Sequence, residues 1–338
     1  CAFLFTIITD FIGLIIIWSI FGIAQFCRSA LDPIILDSIP KEHIGTGTSL
    51  YTLTGVFGIL GLVFVGIFIA GDFVSGIRLF WILAAIGSFI DFLIRLIFLE
   101  QTEKKINQET GKVFLQDLII RYKDGIKVVF AAIPLLFFVY LLDVISDISY
   151  NFAQNFFLNE TVGMSYTSIN YTLIGATIVG VCGGLLAGRM LDRMKNDSPV
   201  MFFAYFLLPF SVFLLFNSIV FPQWIDILPN GEIWEVIAST AFLAVVIKAG
   251  NDVIWRTISW GAIGRRIPRE HTGKVMALLN MTISLFGVLL SPIIGLIYEF
   301  HGGYPLLLVA FILNSLILSF LFFSWIRTLR KKEKGKDP

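Results

Sequence analysis

Long apolar runs, broken by short polar connections, follow one another along the whole chain. A helix needs about 20 consecutive apolar residues to cross the hydrocarbon core of a bilayer. The runs that meet this length are Phe11–Leu31, Thr48–Ala70, Leu79–Phe98, Val128–Ile148, Ser168–Met190, Val200–Val220, Ile233–Ile254, Val275–Ile297 and Pro305–Ile326. Residues Cys1–Ile8 read as a further, incomplete run. The stretch Cys1–Leu36 is too long for one crossing: as a single helix it would extend about 54 Å against a core near 30 Å, and Thr9 and Asp10 break it. The pattern predicts an all-α, polytopic membrane protein with nine full spans and a partial one.

Composition narrows the class further. The 338 residues are 57% hydrophobic and only 14% charged, with mean hydropathy +0.86. Soluble domains carry about 25% charged residues, and a soluble fold of this composition could not cover itself in polar surface. That excludes a disordered chain, a nucleic-acid binder and a secreted disulfide scaffold. A net charge of +1 names no partner, and Cys1, Cys27 and Cys182 form no disulfide or metal pattern.

The basic residues set the orientation. When the connections are numbered alternately, one side collects all but two of the 25 lysines and arginines; Arg78 lies on the other side and Lys248 inside a span. Basic loops mark the cytoplasmic side, so the C-terminus is expected there. Residues 100–127 form a charged cytoplasmic linker in which Leu115, Leu118, Ile119, Tyr122 and Ile126 recur at helical spacing, as in a short interfacial helix.

The connection Ile39-Pro40-Lys41-Glu42-His43-Ile44-Gly45 recurs 228 residues later as Ile267-Pro268-Arg269-Glu270-His271-Thr272-Gly273. Gly22 and Gly250, Arg28 and Arg256, and Leu50 and Leu278 match at the same offset. Repeated halves with a site at their interface are a common plan for transporters. Three spans precede the connecting span of the second unit, but only the Cys1–Ile8 stub precedes its counterpart in the first. The expectation is therefore that two spans and most of a third, roughly 70–90 residues, belong ahead of Cys1.

Gly188-Arg189-Met190-Leu191-Asp192-Arg193 follows a span on the basic side and resembles the signature G-x-L-x-D-R-x-G-[RK]-[RK] of the major facilitator superfamily. Lys195 stands where the second glycine falls, and Asn196 and Asp197 replace the basic pair. The resemblance implies two six-helix halves, here residues 1–99 and 128–329, joined by the 100–127 linker and followed by a basic tail at 330–338. It also implies alternating access around a central cavity lined by the first, fourth, seventh and tenth helices. The first is absent here; the others map to Phe11–Leu31, Val128–Ile148 and Ile233–Ile254. Proton-antiport marks are weak: Trp18 replaces an arginine in the fourth helix, and the fifth keeps only Gly58 and Gly66 of its glycine pattern. His43 and His271 read as loop packing.

Ionisable residues within spans are costly and mark candidate function. Asp143, Asp147, Tyr150, Asn151 and Gln154 fall at helical spacing on one face, with Asp143 the deeper carboxylate. Either this stripe lines the solute path, with Asp143 binding a cation or a proton, or the helix ends near Ile145 and the stripe is its wet outer end. Lys248, Asn251, Asp252, Trp255 and Arg256 form a second polar face. Lys248 and Asp252 have uncharged counterparts in the repeat, Ile20 and Ala24, so they are better substrate candidates than Arg256, which matches Arg28. Lys248 could neutralise Asp143, hold an anionic group, or simply pair with Asp252 at i, i+4. Gln25 joins the candidates from the fourth helix. Gly188, Asp192, Arg193, Arg28 and Arg256 are candidates for gating at the cytoplasmic end. Ala176, Gly180, Gly184 and Gly188 form a small-residue stripe suited to close helix contact, and the resemblance sets this eighth helix against the fifth across the halves.

No phosphate-binding loop, metal spacing or hydrolytic triad appears. The expected function is secondary-active transport of a small organic solute, coupled to protons or another ion, with efflux favoured by the 34 Phe and 7 Trp. A transporter-like receptor that binds a solute without moving it is the alternative. No enzyme activity, cofactor or nucleic acid is expected. The expected partners are the solute, the coupling ion and the bilayer, for a monomer in the plasma membrane.

Overall fold

The computed structural model describes residues 13, 39–53, 82–83, 85–90, 93, 123–193, 197–225 and 232–333. Phe11–Leu31 (apart from Gly13), Gln25 and Arg28 among its residues, most of Thr48–Ala70 and much of Leu79–Phe98 therefore lie outside the described residues. Helix dominates what is described: α1 Pro134–Phe156, α2 Tyr166–Arg193, α3 Asp197–Tyr205, α4 Leu207–Asn217, α5 Glu232–Ala238, α6 Thr240–Arg266, α7 Arg269–His301 and α8 Tyr304–Glu333. Residues 44–53 and 123–132 are also helical. Among the described residues, β pairing is confined to an isolated bridge between Gln223 and Ser239.

Five of these segments are long and apolar enough to cross a membrane: Pro134–Thr161, Tyr166–Arg193, Asp197–Asn217, His271–His301 and Tyr304–Arg330. Each overlies an expected span. Large apolar side chains such as Phe203, Phe213, Leu289, Ile293 and Phe323 are exposed on the outside of the bundle. Only a lipid solvent tolerates such a surface, because helices already satisfy their backbone polar groups internally. The protein is an all-α polytopic membrane protein.

Local chemistry explains where the helices bend. Ile133 sits at φ −139°, ψ 41°, directly before Pro134, as the proline ring disfavours helical geometry in the residue ahead of it. Hydrogen bonds from Ile133 N–H to Val129 O and from Phe137 N–H to Ile133 O carry the helix across this kink. The helix then continues to Phe156 and through a π turn at Phe157–Thr161. Asp143 and Asp147 are therefore interior, and the reading that ends this helix near Ile145 is overturned. Between α3 and α4, Pro209 lacks the N–H that would bond the Tyr205 carbonyl, and the helix is interrupted at Phe206.

The expected span Ile233–Ile254 is also corrected. Ser239 is extended and breaks it, and its Oγ accepts the Phe242 N–H at 3.1 Å to cap α6. α6 then runs on to Arg266, so Lys248, Asp252 and Arg256 occupy its middle.

α6 packs against α2, α3 and α4, while α8 packs against α1, α3 and α4, and α7 against α1. Two apolar cores result. One surrounds Val139, Tyr205, Trp255, Ile258 and Ile317; the other surrounds Tyr150, Ala153, Ala244, Leu307 and Ala310. Asp143 and Asp147 of α1 and Lys248 and Asp252 of α6 fall between them. The sequence repeat is reproduced in the backbone: Pro40 (φ −57°, ψ 142°) and Pro268 (φ −59°, ψ 140°) each open a helical segment. In both copies the histidine N–H bonds the proline carbonyl.

Candidate functional site

α1 and α6 bring the two predicted polar faces together. Lys248 Nζ donates to Asp147 Oδ1 at 2.8 Å and to Asp252 Oδ2 at 2.5 Å. It also stands 4.9 Å from the centre of the Tyr150 ring, an attractive cation–π placement. The Lys248 side chain is 3% exposed, whereas those of Asp147 and Asp252 are 30% and 32% exposed. The cation is thus enclosed, and the carboxylates form the open side of the triad. Lys248 pairs with Asp147 and Asp252 and not with Asp143. Asp252 satisfies the i, i+4 pairing that its spacing suggests.

Asp143 lies deeper and has a separate set of partners. Oδ1 accepts the Tyr205 hydroxyl at 2.8 Å, and Oδ2 accepts Trp255 Nε1–H at 2.8 Å. The Tyr205 and Trp255 rings meet edge-on at 4.8 Å, which fixes both donors. The residue is 8% exposed. Among the described residues, no lysine or arginine stands within ion-pair distance of it. Its neighbourhood continues into α8, where Asn314 Oδ1 lies 2.7 Å from the Tyr205 hydroxyl and 2.8 Å from Ser146 Oγ.

The remaining candidates separate. Tyr150 is fully buried, and its hydroxyl has no partner among the described residues. Gln154 is buried, but Asn151 is exposed, so the α1 stripe is not a uniform wall. Asn251 turns away from the cluster and donates to the Ala204 carbonyl at 2.5 Å, tying α6 to α3. Arg256 is exposed one turn beyond Asp252. Below it, Trp260 donates to the Tyr140 hydroxyl and packs near Tyr51 of the 44–53 helix, with ring centres 6.3 Å apart.

A second constellation forms at the end of the bundle that carries the basic connections. Asp192 accepts the Gly45 N–H at 2.7 Å, the Thr46 N–H at 2.9 Å and the Thr46 hydroxyl at 2.5 Å. These are first-turn groups of the 44–53 helix, where a carboxylate satisfies unpaired donors and opposes the helix dipole. Ser49 Oγ donates to the Gly184 carbonyl at 2.7 Å. Gly45 and Gly188 face each other so closely that a methyl on Gly188 would stand 2.7 Å from the Gly45 carbonyl oxygen and from Ser49 Cβ. The small-residue stripe of α2 thus reaches the 44–53 helix, the pairing that the resemblance implies. On its other flank α2 meets α6, with Gly183 against Ile254 and Gly250 against Val179.

Arg265 completes this end. It donates to Asp197 Oδ1 at 3.1 Å and to the Leu191 carbonyl at 2.5 Å, and it lies 3.9 Å from Asp192. Asp197, a departure from the signature, is therefore the acidic partner of Arg265 and of Arg266 at 3.6 Å. Arg193 is exposed. Arg265, Tyr205, Asn314 and Ser146 were missed in the sequence. The available signal for Asn314 was one amide in a helix of hydropathy 2.6.

The family model for the major facilitator superfamily matches residues 1–250 and, in a second match, residues 136–338. No curated protein matches the chain. With the family model covering the chain throughout, and with its helices built for lipid, this chain belongs to the major facilitator superfamily and is a membrane transporter of that broad class.

Proposed function

We propose that this protein is a secondary-active transporter that moves a small organic solute across the plasma membrane by alternating access, with protons taken up at Asp143 as the coupling ion. The observation that carries the reading is the division of labour between the acids. Lys248 is held by Asp147 and Asp252, which leaves Asp143 as a carboxyl enclosed by neutral donors in mid-helix. A lone buried carboxylate is costly, and one proton removes that cost. Such a group suits a site whose charge changes as access alternates.

The solute class follows from the open side of the triad. The carboxylates of Asp147 and Asp252 are the exposed members of the triad, with the Tyr150 ring beside their shared cation, which suits a solute bearing a protonated amine. Export is the proposed direction, in keeping with the aromatic content, with the basic end and the C-terminus cytoplasmic and the protein acting as a monomer.

The test is flux in liposomes containing the purified full-length protein, across a panel of organic amines, with and without a pH gradient. A pH gradient should drive amine accumulation. Asp143→Asn should abolish this gradient-driven accumulation while counterflow exchange of the same amine continues. Binding without exchange would overturn the transport reading. Gradient-driven transport unchanged in Asp143→Asn would remove Asp143 as the coupling site.

A further inference from the structure

The hydrogens around Asp143 do not distribute freely. The Tyr205 hydroxyl carries one hydrogen but has two oxygens within bonding distance, Asp143 Oδ1 at 2.8 Å and Asn314 Oδ1 at 2.7 Å. Asn314 Oδ1 also receives Ser146 Oγ at 2.8 Å, while Asn314 Nδ2 is buried with no partner among the described residues. Asn314 itself is 1% exposed. With only the Asn314 amide free to turn, the group has two consistent proton arrangements.

In the first, the Asp143 carboxyl is protonated. Its O–H donates to Tyr205, and Tyr205 donates to Asn314 Oδ1. In the second, the carboxyl is ionised and Tyr205 donates to it. Asn314 Oδ1 would then confront a lone pair of the tyrosine oxygen. Turning the amide over places Nδ2 there instead, as donor to Tyr205 and Ser146, and Ser146 donates to the Ala310 carbonyl, which lies 3.3 Å away. No proton beyond the one on Asp143 is gained or lost.

We propose that Asn314, acting through Tyr205, is a positioning residue for proton uptake at Asp143: its amide reverses as the carboxyl ionises, so that both protonation states remain hydrogen-bonded. The inference rests on the reading of Asp143 as the coupling site. It extends that site from α1 and α6 to α3 and α8. The bonded groups come from α1, α3, α6 and α8, so the reversal acts where side chains of four helices meet. The charged and titratable groups around Asp143 are Asp147 and Tyr140 on α1, Tyr205 on α3, and Lys248, Asp252 and Arg256 on α6. α7 faces the same part of α1 with Leu279, Thr282, Ile283 and Phe286, which do not titrate.

The signs of the expected effects differ between the two partners. In Asn314→Leu, protonated Asp143 still donates to Tyr205, but the tyrosine hydrogen loses its acceptor. Both states lose the amide, but the protonated state is penalised more: its tyrosine hydrogen is left with no acceptor, whereas in the ionised state that hydrogen stays on the carboxylate and only a donor to the tyrosine oxygen is lost. Proton affinity should fall about tenfold, one pH unit. Tyr205→Phe removes a charge-assisted bond from the ionised carboxyl and a weaker neutral one from the protonated carboxyl, so proton affinity should rise by a similar factor. If Asn314 acts through Tyr205, the double variant should follow Tyr205→Phe. Asn314→Thr, which restores a hydroxyl that both donates and accepts, should return the midpoint toward that of the unaltered protein.

The measurement is infrared titration of the purified full-length protein, following the carboxylic C=O band identified by its loss in Asp143→Asn. Opposite shifts for Asn314→Leu and Tyr205→Phe support the proposal. An unmoved midpoint in Asn314→Leu, or additive shifts in the double variant, overturns it. Asn314→Ala gives the same reading should Asn314→Leu fail to fold. Because the band reports protonation without any solute, the relay can stand even if Asp143→Asn proves to transport normally; in that case the coupling assignment falls and the relay does not.

Discussion

Gly188→Leu should leave the protein unable to close at its basic end. Any side chain at 188 must occupy space already held by the Gly45 carbonyl oxygen and Ser49 Cβ, both 2.7 Å from where the first carbon would stand. The opposing atoms are backbone and a short side chain on a helix, so they cannot step aside. Overpacking of this kind costs about 1–3 kcal/mol, which is roughly a 5- to 150-fold shift away from the closed arrangement. The added side chain also pushes Asp192 away from the Gly45 and Thr46 amides, and those charge-assisted bonds are lost with the contact. With native cysteines replaced, a Ser49→Cys thiol should react with a water-soluble maleimide at least about tenfold faster when Gly188→Leu is added. Equal labelling rates would show that this contact does not gate access.

Lys248→Met should be the most damaging change at the polar cluster. It removes the cation shared by Asp147 and Asp252 and leaves two carboxylates of like charge around a vacated apolar stem. Breaking a buried ion pair from one side costs about 3–5 kcal/mol, because the abandoned charge stays desolvated. The discount for the partly exposed acids brings the expectation to the lower part of that range. The loss should appear as a marked fall in the thermal unfolding midpoint of the detergent-purified protein. The triple variant Asp147→Asn, Lys248→Met, Asp252→Asn should recover most of the stability, since no charge is then left unmatched. It should not recover amine transport, because the open carboxylates are gone. Lys248→Met with a midpoint unchanged, within about 2 °C, would mean that the three side chains are not one electrostatic unit.

These two sites differ in how far the sequence disclosed them. Asp192 announces itself, because its signature sits on a basic connection after a span. The two amides that it receives lie 146 and 147 residues away, on the 44–53 helix. The pairing of Lys248 with Asp252 was legible from their i, i+4 spacing, since one helical turn sets that distance. The pairing with Asp147 was not, because it depends on how α1 and α6 rotate about their own axes. A stripe of polar residues says that a helix has a face; it does not say which neighbour that face meets. Asn251 illustrates the limit. It shares the periodicity of Lys248 and Asp252 yet turns to the Ala204 carbonyl.

What the sequence determined by itself is whatever one segment and its solvent decide together. Helix length follows from bilayer thickness, and the gathering of lysine and arginine in alternate connections and the connection repeated at an offset of 228 are written in the chain itself. The kink at Ile133, inside the expected span Val128–Ile148, has a local cause as well, the proline that follows it. The tertiary structure alone decided which buried groups share protons and charge. Asp143 draws its donors from Tyr205 and Trp255, 62 and 112 residues onward, and Tyr205 in turn leans on Asn314, a further 109. Tyr205 and Asn314, read in their own helices, are single polar groups in apolar runs, and the stripes that hold Asp143 and Trp255 do not point to them. Once α1, α3, α6 and α8 pack together and bury these groups, every hydrogen must find an acceptor, and that requirement links four separate residues into one cluster.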